Sequence, residues 1–387
     1  MTLSETERER YSRHLLLPEI GATGQLRLKA ARVLVVGAGG LGSPASLYLA
    51  AAGVGRLAIV DHDRVDVSNL QRQLLFDTAS IGASKAQSAR QRLQALNPEI
   101  EVIAHDHELD AGNALELLRG HDCVLDGSDR LTTRYLVNDA CVLLGIPLVS
   151  AAIHRFEGQA MTYLPGSSPC YRCLFPEAAA GVVPNCAEAG VLGVLPGILG
   201  ALQATEAIKL LLGIGTPLAG RLLTYDALAM QWREFRFRRR DDCAVCGTQP
   251  TITNMTQSAV ACGVDAAAAA TAAQAAVQRL KPAQLRDRLA AAVGGQLTLV
   301  DVREANEYVA GHLPGALHIP LSELPRRLGE IPAAGAVVFV CRSGGRSRAA
   351  CVAAASAGRG EVSDLEGGLL AWAAVVDPAL TVAPFDP

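Results

Sequence analysis

Two kinds of cysteine stand out in this chain of 387 residues. Cys341 opens the stretch "CRSGGRS", between an apolar run and a pair of glycines, with Arg342 and Arg346 close behind. A strand that runs into such a loop aims several backbone N–H groups at one point, and a helix expected to begin near Ser347 reinforces them. Together with the two arginines they favour thiolate over thiol and would stabilise an anionic persulfide. Cys170 and Cys173 form one C-x-x-C pair and Cys243 and Cys246 a second, with 69 residues between the pairs. Two such pairs suit a closed tetrahedral thiolate site for zinc, structural rather than catalytic. Cys186 lies in "GVVPNCAEAGV" beside Glu188, a charge that does not lower a thiol pKa. Its residue chemistry leaves a reactive and an incidental thiol equally open. Cys123, Cys141, Cys262 and Cys351 sit among apolar or alanine residues and read as core.

The other chemistry-bearing stretch is near the front. "GAGGLG" places Gly37, Gly39 and Gly42 in G-x-G-x-x-G spacing between an apolar strand and a helix. Glycines there allow a tight turn and let backbone N–H groups approach a phosphate. Asp61 ends the next strand, where a carboxylate accepts bonds from ribose hydroxyls; taken alone this fits a dinucleotide as well as ATP. The residues beyond favour ATP. Arg72, within "SNLQRQLLF", and Lys85 supply cations that would offset charge on a leaving pyrophosphate, and Asp129, in "DGSDR", an acid that would hold Mg²⁺.

These residues need elements to position them. Over residues 30–150 apolar β-type runs ("ARVLVV", "RLAIVD", "DCVLD", "GIPLVSAAI") alternate with helical stretches, which predicts an α/β fold with a Rossmann-like, doubly wound parallel sheet. The helix "SPASLYLAAAG" is expected to have Ser43 at its cap and Gly53 at its end. From residue 249 to 280 the chain is rich in Ala, Thr and Gln and reads as a linker, helical in its Ala-rich part. A second alternating unit, "LTLVDVRE", "LSELPRRL", "AVVFVCRSGG" and "GLLAW", predicts a smaller α/β domain over 281–387.

Lys+Arg 35 against Asp+Glu 38 gives a net charge of -3, which argues against bulk nucleic-acid binding. "FRFRRR" reads as a half-buried strand with a solvated charged face. The uncharged run Ala189–Thr205 is broken by Pro196 and by glycines such as Gly193, Gly197 and Gly200 and followed by Glu206, so a buried helix is expected rather than a membrane span. "MTLSETERER" is charged where a secretory signal is apolar, so the expected location is cytoplasmic.

"RYSRHLLLPEIG", "GAGGLG", "DHDRVDVSNLQRQ", "GASKA", "DGSDR", "PCYRC", "NCAEAGV" and "CAVCG" follow one another as in the MoeB/ThiF group of E1-like activating enzymes, over residues 1–248. The resemblance implies a homodimer that adenylates the C-terminal glycine of a ubiquitin-like sulfur-carrier protein ending in Gly-Gly. It implies that Gly40 lines the nucleotide pocket, that Asp61 binds ribose, and that Asn69, Arg72 and Lys85 contact phosphates. Asp129 would support magnesium, and Arg13 would reach the partner subunit's site. The rest of the cofactor-binding stretch is then Ser68, Leu70 and Gln71, with Arg130 standing where close relatives often carry Asn. It also implies zinc on the four paired cysteines and a covalent role for Cys186. Residues 281–375 resemble rhodanese-type sulfurtransferases: "DVREANEYVAGHLPGALHIP" and "CRSGGRS" match their signatures, with Cys341 to Arg346 a C-x₄-R loop sized for sulfur. Asp301, Arg303 and Glu307 are expected to be structural.

The two ends then connect. An acyl-adenylate is a carbonyl with a good leaving group, and a persulfide on Cys341 is a sulfur nucleophile that would convert the carrier tail to a thiocarboxylate. The persulfide would be loaded by a cysteine desulfurase or thiosulfate. Molybdopterin, thiazole, cysteine and tRNA thiolation pathways all remain open. Two other readings use the same residues: an NAD-dependent oxidoreductase fused to a sulfurtransferase, and a non-catalytic docking protein for ubiquitin-like partners.

Overall fold

A computed structural model describes residues 2–176, 190–261, 278–291, 297–332, 335–356, 359 and 361–382. The chain divides into two compact units, Met1–Val264 and Asp265–Pro387. In the first, β1 (Arg32–Val36), β2 (Arg56–Val60), β3 (Glu101–His105), β4 (Cys123–Asp126) and β5 (Leu148–His154) pair in parallel in the order β3-β2-β1-β4-β5. Four of the five residues of β1 and of β2 are buried, the continuous apolar run that a strand covered on both faces requires.

Beyond β5 the sheet changes direction. β6 (Glu157–Tyr163), β7 (Arg221–Asp226) and β8 (Gln231–Arg236) add on antiparallel, giving eight strands. This extension was not expected from the sequence. The edge strand β8 holds only the start of "FRFRRR": Phe235 and Arg236 are exposed on it, and Phe237, just beyond the strand, is partly buried against the core. The helix Leu195–Leu212 is long and apolar enough to cross a membrane, yet here it packs on the sheet, with Leu195, Leu199, Gln203, Ala204 and Ala207 buried. Its buried Glu206 accepts from Thr162 Oγ1 at 2.9 Å and from the Leu218 amide at 2.7 Å, so it is a core helix.

The expected helix after the glycine turn runs Gly42–Ala51. Ser43 does not cap it: the hydroxyl, fully buried, donates instead to Ala38 O at 3.0 Å and tightens the turn.

The segment expected to link the domains is partly structured. Helix Met255–Ala261 belongs to the first unit: Ser258, fully buried, donates to the Asp139 carboxylate at 2.6 Å. That carboxylate also binds the Arg172 guanidinium, so the helix is pinned beside the first cysteine pair. At the other end β9 (Gln278–Leu280) joins the second sheet. The Ala-rich part of the segment, with Cys262, lies outside the described residues.

The second unit is a five-stranded, all-parallel sheet in the order β11-β10-β12-β13-β9. β10 is Leu297–Asp301, β11 Leu317–His318, β12 Ala336–Val340 and β13 Val362–Leu365. Helices Gly345–Ser356 and Gly368–Val375 follow β12 and β13. The expected α/β class holds for both units.

Candidate functional site

The first site forms where β1 and β4, both buried, deliver their C-terminal ends to adjacent turns. In the first turn Gly37 has φ +88°, and a Cβ on Gly42 would stand 1.8 Å from Gly37 O. No residue but glycine fits at 42, whose part is therefore to close the turn rather than to line the cleft. Gly37, Gly39, Gly40, Asp61, Arg72, Lys85, Asp129 and Arg130 all line one cleft of about 1230 Å³.

Within it the charges are arranged by one another. Asp61 accepts the Ala38 amide at 2.8 Å and the Asp63 amide at 2.9 Å, fixing it to the glycine turn. Burial raises its carboxyl above the ordinary value, against the pull of Lys85. Lys85 is only 5% exposed and places Nζ 2.9 Å from Asp63. Burial would raise Asp63 as well, but the Lys85 ammonium holds it below the usual carboxylate value. Arg72 donates to Ser68 O at 3.0 Å, folding back over its own turn. Asp129 is exposed in the cleft, with no hydrogen-bond partner among the described residues. Arg130 pairs with Glu108.

Besides Gly42, four of the residues expected at the nucleotide do not line this cleft. Ser68 and Asn69 lie in the 3₁₀ turn Val67–Asn69, where the Asp66 carboxylate accepts the Ser68 amide and Asn69 Oδ1 accepts the Asp66 amide. Leu70 packs on the hydrophobic core, and Gln71 lies against Gly193, where a Cβ would meet its Oε1 at 2.2 Å. Arg13, exposed on the short helix Ser12–Leu15, lines no part of the cleft of its own chain.

One group was missed. Asp126, fully buried, accepts from Ser128 Oγ at 2.6 Å, the Ser128 amide at 3.0 Å, Ser150 Oγ at 3.0 Å and Arg134 Nε at 3.2 Å. This carboxylate sets the loop that carries Asp129. The aspartate opening "DGSDR" was its only local signal.

The paired cysteines meet as spacing predicted. Cys170 and Cys243 sulfurs are 3.7 Å apart, Cys173 and Cys246 sulfurs 3.4 Å, and all four sulfurs lie within 4.8 Å of one another and are buried. A tetrahedral ion with bonds of about 2.3 Å needs sulfurs about 3.8 Å apart. The four therefore fit zinc. Cys123, Cys141 and Cys351 are buried as expected, and burial pushes the Cys123 thiol up to about 12. Cys186 lies outside the described residues.

The second site is the loop after β12. The Gly344 amide donates to Cys341 Sγ at 3.1 Å, and Ser347 Oγ stands 3.4 Å from the same sulfur. The loop's outward carbonyls are taken by the helix Gly368–Val375: the Leu369 amide bonds Cys341 O at 2.8 Å and the Leu370 amide bonds Arg342 O at 3.0 Å. Turning the carbonyls out frees the loop's amides to face the sulfur. A Cβ on Gly368 would stand 2.4 Å from Cys341 O, so this close approach also requires glycine.

Arg346 departs from expectation. It grips the buried Glu307 in two bonds of 2.6 and 2.7 Å, so much of its charge is spent on that carboxylate and its main effect is to anchor the loop. Asp301 and Arg303 are fully buried and bonded at 2.7 Å, the structural pair expected.

Comparison with known proteins matches each unit to a family pattern. The ThiF family pattern matches residues 11–245, and the rhodanese-like domain pattern matches residues 281–375. The chain is 46% identical over 387 residues to a probable adenylyltransferase/sulfurtransferase, MoeZ, of Mycobacterium tuberculosis, covering 98% of this chain and 96% of that protein. It is 53% identical over 270 residues to a sulfur carrier protein adenylyltransferase of Thermus thermophilus, covering 68% of this chain and all of that one. Among solved structures, E. coli MccB with AMPCPP and MccA superposes with a TM-score of 0.54 at 25% identity, over 62% of this chain and 74% of that one.

Proposed function

The chain belongs to the ThiF family, with a rhodanese-like domain behind it, and we propose that it adenylates the C-terminal glycine of a ubiquitin-like sulfur-carrier protein and then replaces an oxygen of that carboxylate by sulfur. The carrying observation is the joining of Asp61, Arg72, Lys85 and Asp129 around one glycine turn, in a chain that also presents Cys341 on a sulfur-sized loop. A hydride-transfer enzyme has no need of two cations and an acid around the phosphates.

The carrier carboxylate attacks the α-phosphorus of ATP and pyrophosphate departs with the electron pair of the broken P–O bond. Lys85 and Arg72 offset charge on the departing group, the glycine-turn amides hold phosphate oxygens, and Asp61 receives the ribose. A magnesium ion, which Asp129 is free to hold, would supply further charge neutralisation. Zinc on Cys170, Cys173, Cys243 and Cys246 would be structural, tying the end of the first unit to its middle.

The terminal sulfur of a Cys341 persulfide attacks the acyl-adenylate carbonyl and AMP leaves, giving an acyl disulfide. A second thiol then cleaves the S–S bond, releasing the thiocarboxylate and leaving a disulfide on Cys341. Cys186 is the chain's own candidate for that thiol. The full-length likeness to a probable adenylyltransferase/sulfurtransferase supports both half-reactions, and the similarity of the first unit to a sulfur carrier protein adenylyltransferase supports the choice of substrate. A homodimer, with Arg13 reaching across, fits the exposure of that residue. A reducing, cytoplasmic setting would suit persulfide chemistry on Cys341 and thiolate ligation by the four paired cysteines.

Intact mass spectrometry of candidate carriers, incubated with the enzyme, ATP and thiosulfate, tests the reading. The product gains the mass difference between sulfur and oxygen. NAD binding without carrier-dependent pyrophosphate exchange would favour the oxidoreductase, and carrier activation that survives Arg72→Ala and Asp129→Ala would favour a docking protein.

A further inference from the structure

Open α/β sheets bind ligands at the C-terminal ends of their strands, and at that edge of the second sheet three strands form one row. Register places Arg279 on β9 beside Asp364 on β13, and Asp364 beside Phe339 on β12, two residues before Cys341. Asp364 is fully buried, and its carboxylate accepts Arg279 Nε at 3.3 Å and Nη2 at 3.1 Å. This pair directs the guanidinium toward the sulfur loop. Nη2 lies 3.3 Å from the place a Cβ on Gly344 would occupy, and Gly344 is the residue whose amide bonds Cys341 Sγ. Nη1 has no hydrogen-bond partner among the described residues, and the side chain is 36% exposed. Arg346, the cation expected at the loop, is instead engaged by Glu307.

We propose that Arg279 is a specificity-determining residue that receives the oxyanion end of a small sulfur donor of the thiosulfate class. The proposal rests on the sulfur-transfer reading of Cys341. In loading, the Cys341 thiolate attacks the donor's outer sulfur. The donor S–S bond breaks and its electron pair leaves on sulfite. A thiolate and a thiosulfate dianion become a persulfide anion and a sulfite dianion, with no proton or redox partner required. Arg279 offers Nη1 and its charge to the SO₃ oxygens, while Asp364 fixes the other edge of the fork. Arg279 stands two residues before the first residue that the rhodanese-like pattern matches, so the family likeness assigns it nothing.

The test is thiosulfate-to-cyanide sulfur transfer by the full-length protein, comparing wild type, Arg279→Gln, Arg279→Lys and Cys341→Ala. Glutamine keeps a hydrogen bond to Asp364 but not the charge. The expected result is a KM for thiosulfate raised roughly tenfold in Arg279→Gln, the scale of one charge-assisted hydrogen bond, with a weaker dependence on salt. Arg279→Lys should stay within about threefold of wild type, because it keeps the charge. A wild-type KM in Arg279→Gln overturns the proposal. So does equal impairment of both variants, which marks a structural strut, or a defect seen only with a protein persulfide as donor. If wild type is as silent as Cys341→Ala, the sulfur-transfer reading itself falls, and Arg279 with it.

Discussion

Arg346 holds Glu307 by both carboxylate oxygens, at 2.6 and 2.7 Å, across 39 residues of chain. The contact ties the helix that leaves the sulfur loop to the segment after β10. Burial raises the Glu307 carboxyl, and the Arg346 guanidinium more than reverses that, leaving it below its ordinary 4.5. A carboxyl lowered by folding stabilises the native state above its unfolded pKa, and that contribution is lost as pH falls through the folded value. Unfolding of the second unit should therefore become easier as pH drops below 4.5. Glu307→Gln should already be less stable at neutral pH and should flatten that dependence; circular dichroism melts between pH 3 and 7 would show it. An unchanged pH slope would remove the anchor from the account.

Lys85 is buried against Asp63 and faces the glycine turn. Lys85→Met should lower carrier-dependent exchange of pyrophosphate into ATP by roughly a hundredfold, the scale seen on deleting one group that stabilises transition-state charge. Thiosulfate-to-cyanide transfer by the same variant should be untouched, because that chemistry uses Cys341. Loss of both activities would point to misfolding instead.

Gly368→Ala makes the converse separation. The new methyl would stand 2.4 Å from Cys341 O, and Gly368 has φ +61° as well. The helix must shift, the bonds from Leu369 and Leu370 to the loop carbonyls weaken, and sulfur transfer should fall at least about tenfold. Pyrophosphate exchange measured in parallel should equal wild type.

The four-cysteine cluster predicts about one zinc per chain by elemental analysis. Cys173→Ser, or incubation with a strong chelator, should remove the metal and lower the melting temperature of the first unit. The effect should spread to helix Met255–Ala261, because Arg172, between Cys170 and Cys173, shares the Asp139 carboxylate with Ser258. Hydrogen exchange over residues 255–261 should rise on chelation. Protection that is unaffected would show the helix to be independent of the cluster.

What could be read without coordinates was what fixed spacing encodes. The glycine turn, the two C-x-x-C pairs and the C-x₄-R loop each carry their geometry within a few residues, and all three form as spacing suggests except that the arginine of the last turns to Glu307. The Asp126 network was not legible because two of its three partner residues, Ser150 on β5 and Arg134 on the helix Leu131–Leu144, come from other elements that no local pattern announces. Leu70 and Gln71 were placed at the cofactor because they stand in a stretch that binds it elsewhere. Side-chain direction around the 3₁₀ turn decides otherwise, sending one to the core and one to Gly193. Arg346 is expected at the sulfur by its position after the cysteine, whereas its charge is engaged by an acid on the helix Ala305–Ala310. The alanine-rich composition of 249–280 hid two short ordered pieces that dock through scattered contacts, Met255 on the core and Ser258 with Asp139 for one, β9 with β13 for the other.

Cys341 is only 1% exposed, although it is the residue that must meet a substrate. Charging it lengthens the side chain by an S–S bond of about 2.05 Å, so the added atom, not the cysteine's own, is the one that meets the carbonyl. The bare sulfur still has to be met by its donor during loading, but its low exposure slows attack by peroxide or a stray disulfide, since oxidative damage follows exposure. Cargo thus carries the reactive atom outward, and an idle protein shows little of the sulfur it has to protect.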